Sequence, residues 1–238
     1  YQTKTSGSKP FEKREDKAEI PGGMRPGPVD VVLGPFMGQK NLNDVFVASF
    51  SEENRGVSLF ASTNLGNYAD AVPQFGIDAP LVAVRGVYWD NDCYLDLAVL
   101  TTDNLAIAYG SEGGLFTSPA FFYGTEPYAI AVNSGFTSAT DLLVSDTNAD
   151  CFDDLVVLDQ NTGRLLVFTS ANTPVPGVEV GGRASPPVIF PTGRGPLRVV
   201  EGTFNADTCP DLAVLNGKGQ SFTVLVSNKC NDGPPAEC

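Results

Sequence analysis

Asp146-Thr-Asn148-Ala-Asp150-Cys-Phe-Asp-Asp154 decides how this chain is read, together with Leu155-Val-Val-Leu158, which follows at once. Side-chain oxygens stand at the first, third, fifth and ninth places of the stretch. Alternate residues of a tight turn point inward together, so this spacing converges carboxylate and amide oxygens on one point. A hard cation that takes six to eight oxygens suits such a point, which favours calcium over zinc or magnesium. The stretch is not an EF-hand, since it lacks the glycine at place six and the glutamate at place twelve. The short branched run after it, closed by Asp159-Gln-Asn, reads as a buried strand. The expected calcium ligands are Asp146, Asn148, Asp150 and Asp154, with the carbonyl of Phe152.

The loop recurs. Asp90, Asp92 and Asp96 precede Leu97-Ala-Val-Leu100, and Asn205, Asp207 and Asp211 precede Leu212-Ala-Val-Leu215. Tyr88 and Thr203 hold place one in these copies, so each is expected to bind more weakly. The alternative for all three is an acidic turn that caps strands without metal. A further copy is degenerate: Asp44 precedes Val45-Phe-Val-Ala48, but Lys40 stands where an oxygen belongs. It reads as an ordinary turn; the alternative is an ammonium in the cation's place.

A proline precedes a strand-like run in each repeat: Pro28, Pro80, Pro127 and Pro196. In the third repeat the spacing breaks. Either Asn133–Asp141 is a degenerate loop and 146–154 is extra, or residues are inserted ahead of the true loop. Gly56–Phe60, Leu105–Tyr109, Arg164–Phe168 and Ser221–Val226 supply the next strands, and Ala120–Tyr123 and Pro187–Phe190 read as fourth strands. Short strands repeating with turn chemistry between them are the signature of propeller blades. The fold class expected is all-β, with about four β-propeller-type blades near 28–79, 80–126, 127–195 and 196–228. A β-sandwich of the same strands is the alternative. Residues 1–27 read as an extended N-terminal arm, 28–228 as the repeat domain, and 229–238 as a cysteine-containing tail.

These loops resemble the FG-GAP/VCBS repeats, which include the calcium-binding blades of integrin alpha-subunit β-propellers. Asp146, Asn148, Asp150 and Asp154 carry the likeness most strongly, and Phe75-Gly76-Ile-Asp-Ala79-Pro80 matches the phrase that names the family. The resemblance implies a propeller fold, calcium in the inter-strand loops, and roles in adhesion, ligand binding or assembly. At place six, where the family usually has glycine, this chain has Cys93, Cys151 and Thr208. Family propellers commonly have seven blades, against four repeats here.

The net charge is −13, and no histidine is present. Without histidine, Ser-His-Asp and Cys-His nucleophile pairs, histidine-bound zinc and imidazole proton shuttles are excluded within the chain. No phosphate-binding glycine loop or nucleophile elbow occurs. The remaining enzymatic route is a carboxylate pair, as in glycoside hydrolysis. The expectation is that the chain is no enzyme. So acidic a body repels nucleic acid and anionic membrane. No apolar run approaches the ~18–20 residues of a membrane helix, so membrane insertion is not expected.

Five cysteines beside calcium-type loops point to an oxidising extracellular setting, with disulfides and one thiol left over. A start at Tyr1 fits a processed secreted protein or a trimmed one. The arm carries six Lys/Arg against four Asp/Glu and the remainder nine against 24. That complementarity of sign suits docking of the arm on another copy, and such a head-to-tail contact builds a filament if it does not close. The functional expectation is a secreted structural or adhesive subunit that binds its own copies or an extracellular surface ligand. A lectin-like or ligand-binding propeller is the first alternative, and a carboxylate-dependent hydrolase the second.

Overall fold

A computed structural model describes residues 28–36, 44–49, 56–64, 67–68, 72–76, 79–89, 92, 94–111, 136–150, 152–171, 183–184, 187–207 and 209–227. These residues form strands, with no helix among them. The arm, the tail, and the runs expected after Pro127 and at Ala120–Tyr123 lie outside the described residues.

The first sheet holds β1 (Pro28–Gly34), β2 (Asp44–Ser49) and β3 (Gly56–Phe60); a ribbon of β4 (Ser62–Asn64) and β5 (Asn67–Tyr68) follows, and β6 (Val72–Gly76) completes the order β1-β2-β3-β6. The second holds β7 (Leu81–Val87), β8 (Asp96–Thr101) and β9 (Leu105–Ala108). The third opens with β10 (Ala139–Ser145), β11 (Asp154–Asp159) and β12 (Arg164–Phe168). After the ribbon of β13 (Ser170–Ala171) and β14 (Arg183–Ala184), β15 (Val188–Pro191) pairs with β12. The fourth holds β16 (Pro196–Gly202), β17 (Asp211–Asn216) and β18 (Ser221–Leu225). All described pairings are antiparallel.

The four sheets repeat one pattern to the residue. Each first strand shifts register near its start, at Pro28/Asp30, Leu81/Ala83, Ala139/Asp141 and Pro196/Arg198. Each first strand then ends opposite the aspartate that opens the second: Gly34 with Asp44, Val87 with Asp96, Ser145 with Asp154, Gly202 with Asp211. A bulge adds local twist and re-aims the side chain beside it. Stretch 146–154 therefore links the first and second strands of its sheet, as 88–96 and 203–211 do. Asp141 lies inside β10, not at the end of a loop, so the Asn133–Asp141 reading falls. Extra residues ahead of the loop account for the broken spacing.

The first strands lie side by side, β1 against β7, β7 against β10, and β10 against β16. Three apolar cores fill the joints between neighbouring sheets. Leu97 and Val99 of β8 face the joint with sheet one, while Ala98 and Leu100 face the joint with sheet three. On β11, Leu155 and Val157 face sheet two, while Val156 and Leu158 face sheet four. These runs are apolar at every position because the strands are covered on both faces. Trp89 is buried in the joint between sheets two and three, as core packing predicts.

Candidate metal centre

Each candidate loop is folded by its own aspartates and asparagines. In the third sheet, Oδ1 of Asp146 and Oδ1 of Asn148 both accept the Asp150 N–H, at 3.0 and 2.9 Å. Asp150 in turn accepts the Phe152 N–H at 3.0 Å, and Asn148 Nδ2 donates to its other oxygen at 2.9 Å. Ala149 between them has φ 55°, the left-handed conformation that closes so tight a turn. Short polar side chains that bond the backbone two residues on are what make the turn local.

The other loops reuse these bonds. Asn205 Oδ1 accepts the Asp207 N–H at 2.9 Å, and Asp207 accepts the Cys209 N–H at 3.0 Å. Asp92 accepts the Tyr94 N–H at 2.9 Å. Asp90 lies outside the described residues. The aspartate at place five thus caps the backbone two residues on in all three loops.

Place nine has a different job. Asp96, Asp154 and Asp211 are fully buried. One oxygen of each accepts the N–H of the loop's second residue: Trp89 at 2.9 Å, Thr147 at 3.1 Å, Phe204 at 2.7 Å. The other oxygen accepts an N–H just past the third strand: Gly110 at 2.7 Å, Ser170 at 3.2 Å, Ser227 at 2.9 Å. Thr147 adds a hydroxyl bond to Asp154. This carboxylate ties the loop to the far side of its own sheet.

Burial pushes the Asp154 carboxyl up to about 6, and the charge of Asp150 adds to the rise against the bonds from Thr147 and Ser170. Asp153 is also raised, chiefly by burial and then by Asp146, with its bond to the Tyr88 N–H opposing the rise. A carboxyl raised in the folded state contributes stability that is full below its unfolded value, near 4. That contribution is lost as pH climbs through about 6. Without metal, the protein is expected to lose roughly 2–3 kcal/mol from this group between pH 4 and 7. Urea unfolding in chelator, wild type against Asp154→Asn, checks it; the same pH dependence in both would refute it.

As ligands, Asp146, Asn148 and Asp150 offer only carboxylate and amide oxygens, a set that fits a hard cation. Two of these oxygens already converge on one positive N–H. Among the described residues, no three acidic or cysteine side chains form a metal-holding group, and the fit at 146–154 draws on the amide of Asn148. In the 203–211 loop, Thr203 leaves Asn205 and Asp207 without the acid at place one. The structure brings oxygens of Asp146 and Asn148 together on the Asp150 N–H and turns the Asp150 carboxylate to the Phe152 N–H and the Asn148 amide; it turns those of Asp154, Asp96 and Asp211 to the backbone.

Sequence reading missed the charges between sheets. Asp30 of β1 accepts the Val84 N–H of β7 at 3.2 Å and pairs with Arg85. Arg85 also faces Asp141 of β10, at 3.9 Å. Asp141, buried, accepts the Val199 N–H of β16 at 2.9 Å and binds Arg198 at 2.8 Å. The sign alternates along four neighbouring strands: Asp30, Arg85, Asp141, Arg198. Asp30, Asp141 and Arg198 hold the same place at the bulge, but Ala83 takes that place in β7 and Arg85 stands two residues on, so aligning the first strands would have exposed only part of this row. Asp153, which joins the loops of sheets two and three through the Tyr88 N–H at 2.9 Å, was missed as well.

No protein-family model matches the chain, and no curated protein matches it either. No helix among the described residues is long and apolar enough to cross a membrane.

Proposed function

We propose that the chain is a propeller-type repeat protein of the FG-GAP/VCBS kind, secreted, stabilised by calcium and without catalytic activity. It acts as an extracellular structural or adhesive subunit that binds copies of itself or an extracellular surface ligand. One observation carries the reading: the same oxygen-rich loop joins the first and second strands of successive sheets whose first strands lie side by side. A device repeated at the rim of stacked sheets serves the scaffold, and a lone reactive centre has no need of such copies.

Asp146, Asn148 and Asp150 would hold the ion in the 146–154 loop. Bound there, calcium supplies the positive charge that lets crowded carboxylates stay ionised.

Asp150→Ala tests the metal. A hundredfold loss of affinity removes about 2–3 kcal/mol at saturating calcium. In chelator, only the lost turn bonds count, about 1 kcal/mol. The melting temperature should therefore fall further in calcium than in chelator. Equal falls would mean that the residue acts through turn geometry alone. Electron microscopy of the purified chain tests assembly; a neutral-pH hydrolysis screen that finds turnover would overturn the non-enzymatic reading.

One observation favours the ligand-binding alternative. A cavity of about 370 Å³ opens between sheets three and four, lined largely by Val167, Val188, Phe190, Leu212, Leu225 and Val226. A glycan array and an apolar fluorescent probe separate a sugar site from a greasy one.

A further inference from the structure

The joint between sheets is used three times, and among the described residues both of its halves also stand exposed at the two ends. On the first strands, Val84, Leu142 and Val199 occupy matching places and fill the joint with the preceding sheet. Val31 holds that place on β1 and is 56% exposed. Leu33, two residues on and on the same face, is exposed too. On the opposite face, Leu100 pairs with Leu105 and Leu158 with Leu165, filling the joint with the following sheet at no more than 2% exposure. The matching pair in sheet four is Leu215 with Phe222, and these are 53% and 75% exposed. Val200 and Val224 extend that bare face.

We propose that the outer face of sheet four docks on the β1 side of sheet one of a second copy, repeating between chains the joint made within one. This rests on the self-assembly proposed above, but it names a different surface from the arm. The occupant is set by complementarity. Val31 has buried counterparts in three existing joints and the Leu215–Phe222 pair in two, so each end already has the shape of half a joint.

Charge points the same way. The alternating row ends in Asp30 at one end and in Arg198, with its side chain 68% exposed, at the other. A second copy set against sheet four brings its Asp30 to Arg198, in the order in which Arg85 of sheet two faces Asp141 of sheet three at 3.9 Å within the chain. Asp30 and Asp141 each accept an N–H from the next sheet, which an arginine cannot do. The N–H of Val31, which would need such an acceptor, is already bonded to its own Asp30 at 2.9 Å. The contact joins two different faces, so it closes a ring or continues as a filament.

The test uses the full chain in sedimentation equilibrium. Wild type is expected at twice the chain mass or more. Leu215→Glu/Phe222→Glu, which breaks the sheet-four face, should run as a monomer. Val31→Glu/Leu33→Glu, which breaks the sheet-one face, should do the same. Each retains one sound face, so mixing the two variants should give a one-to-one dimer that neither forms alone. All four positions are exposed, so wild-type circular dichroism is expected; if a glutamate variant fails to fold, Phe222→Ser and Val31→Thr replace them in the same mixture.

Deleting residues 1–24 separates the two surfaces. Assembly lost with the arm but kept in both face variants would overturn this inference and leave the arm reading standing. Assembly kept without the arm but lost in the face variants would do the reverse. A monomeric wild type, or mixed variants that stay monomeric, would overturn the proposal.

Discussion

Asp141→Ala is expected to destabilise the protein by about 2–3 kcal/mol, chiefly because the buried Val199 N–H loses its acceptor, while Arg198, mostly exposed, returns to water. Asp141 is buried and holds three groups at once: the Val199 N–H at 2.9 Å, Arg198 at 2.8 Å and, more loosely, Arg85 at 3.9 Å. Alanine leaves the N–H without its acceptor inside a joint and sets two guanidinium groups near each other with no anion between. Asp141→Asn keeps an acceptor but not the charge, so it should lose about half as much. Asp30→Ala should lose less again, because Asp30 is itself more exposed than Asp141. Urea unfolding of the three variants checks the order. An Asp141→Ala protein within about 1 kcal/mol of wild type would mean that the row of charges contributes little.

Three strands were legible because a local signal fixed both ends. An oxygen-rich loop followed by Leu155–Leu158, Leu97–Leu100 or Leu212–Leu215 announces a second strand, and the strands are where these runs stand. β6 escaped notice: Val72-Pro-Gln-Phe-Gly76 contains a proline and no alternation, and it becomes a strand by pairing with β3. Asp141 stays open between two readings in the sequence for a related cause. A lone aspartate fourteen places after a proline looks like the end of a loop, and only strand pairing shows it at a bulge within β10.

The candidate site was legible in its polar residues and not in their division of labour. Places three and five bond within the loop, which local spacing can suggest. Place nine bonds across the sheet, to residues fourteen to sixteen positions ahead. No periodicity marks that distance. Nor does hydropathy reveal that Leu215 and Phe222 are bare, since their counterparts Leu100 and Leu105 have the same apolar character and are buried. Exposure there depends on whether another sheet follows, which no window of sequence contains.

That division of labour yields the second large effect. Asp96 is fully buried between two cores, and its oxygens accept the Trp89 N–H at 2.9 Å and the Gly110 N–H at 2.7 Å. Both donors are enclosed, so Asp96→Ala strands two backbone groups away from water at about 1–3 kcal/mol each, roughly 4 kcal/mol in all. A metal ligand would lose stability only when metal is present. A tie between loop and sheet loses it under every condition, so Asp96→Ala should unfold at equally reduced urea concentrations in calcium and in chelator. Asp92→Ala, which removes the cap on Tyr94, should lose about 1 kcal/mol in chelator. Repacking around the alanine has little room: Trp89, Leu97 and Leu95 already fill the space about the loop, and a side chain at Gly110 would meet the Leu95 carbonyl at 2.5 Å. A calcium-dependent loss at Asp96, absent in chelator, would transfer this residue from the scaffold to the ion.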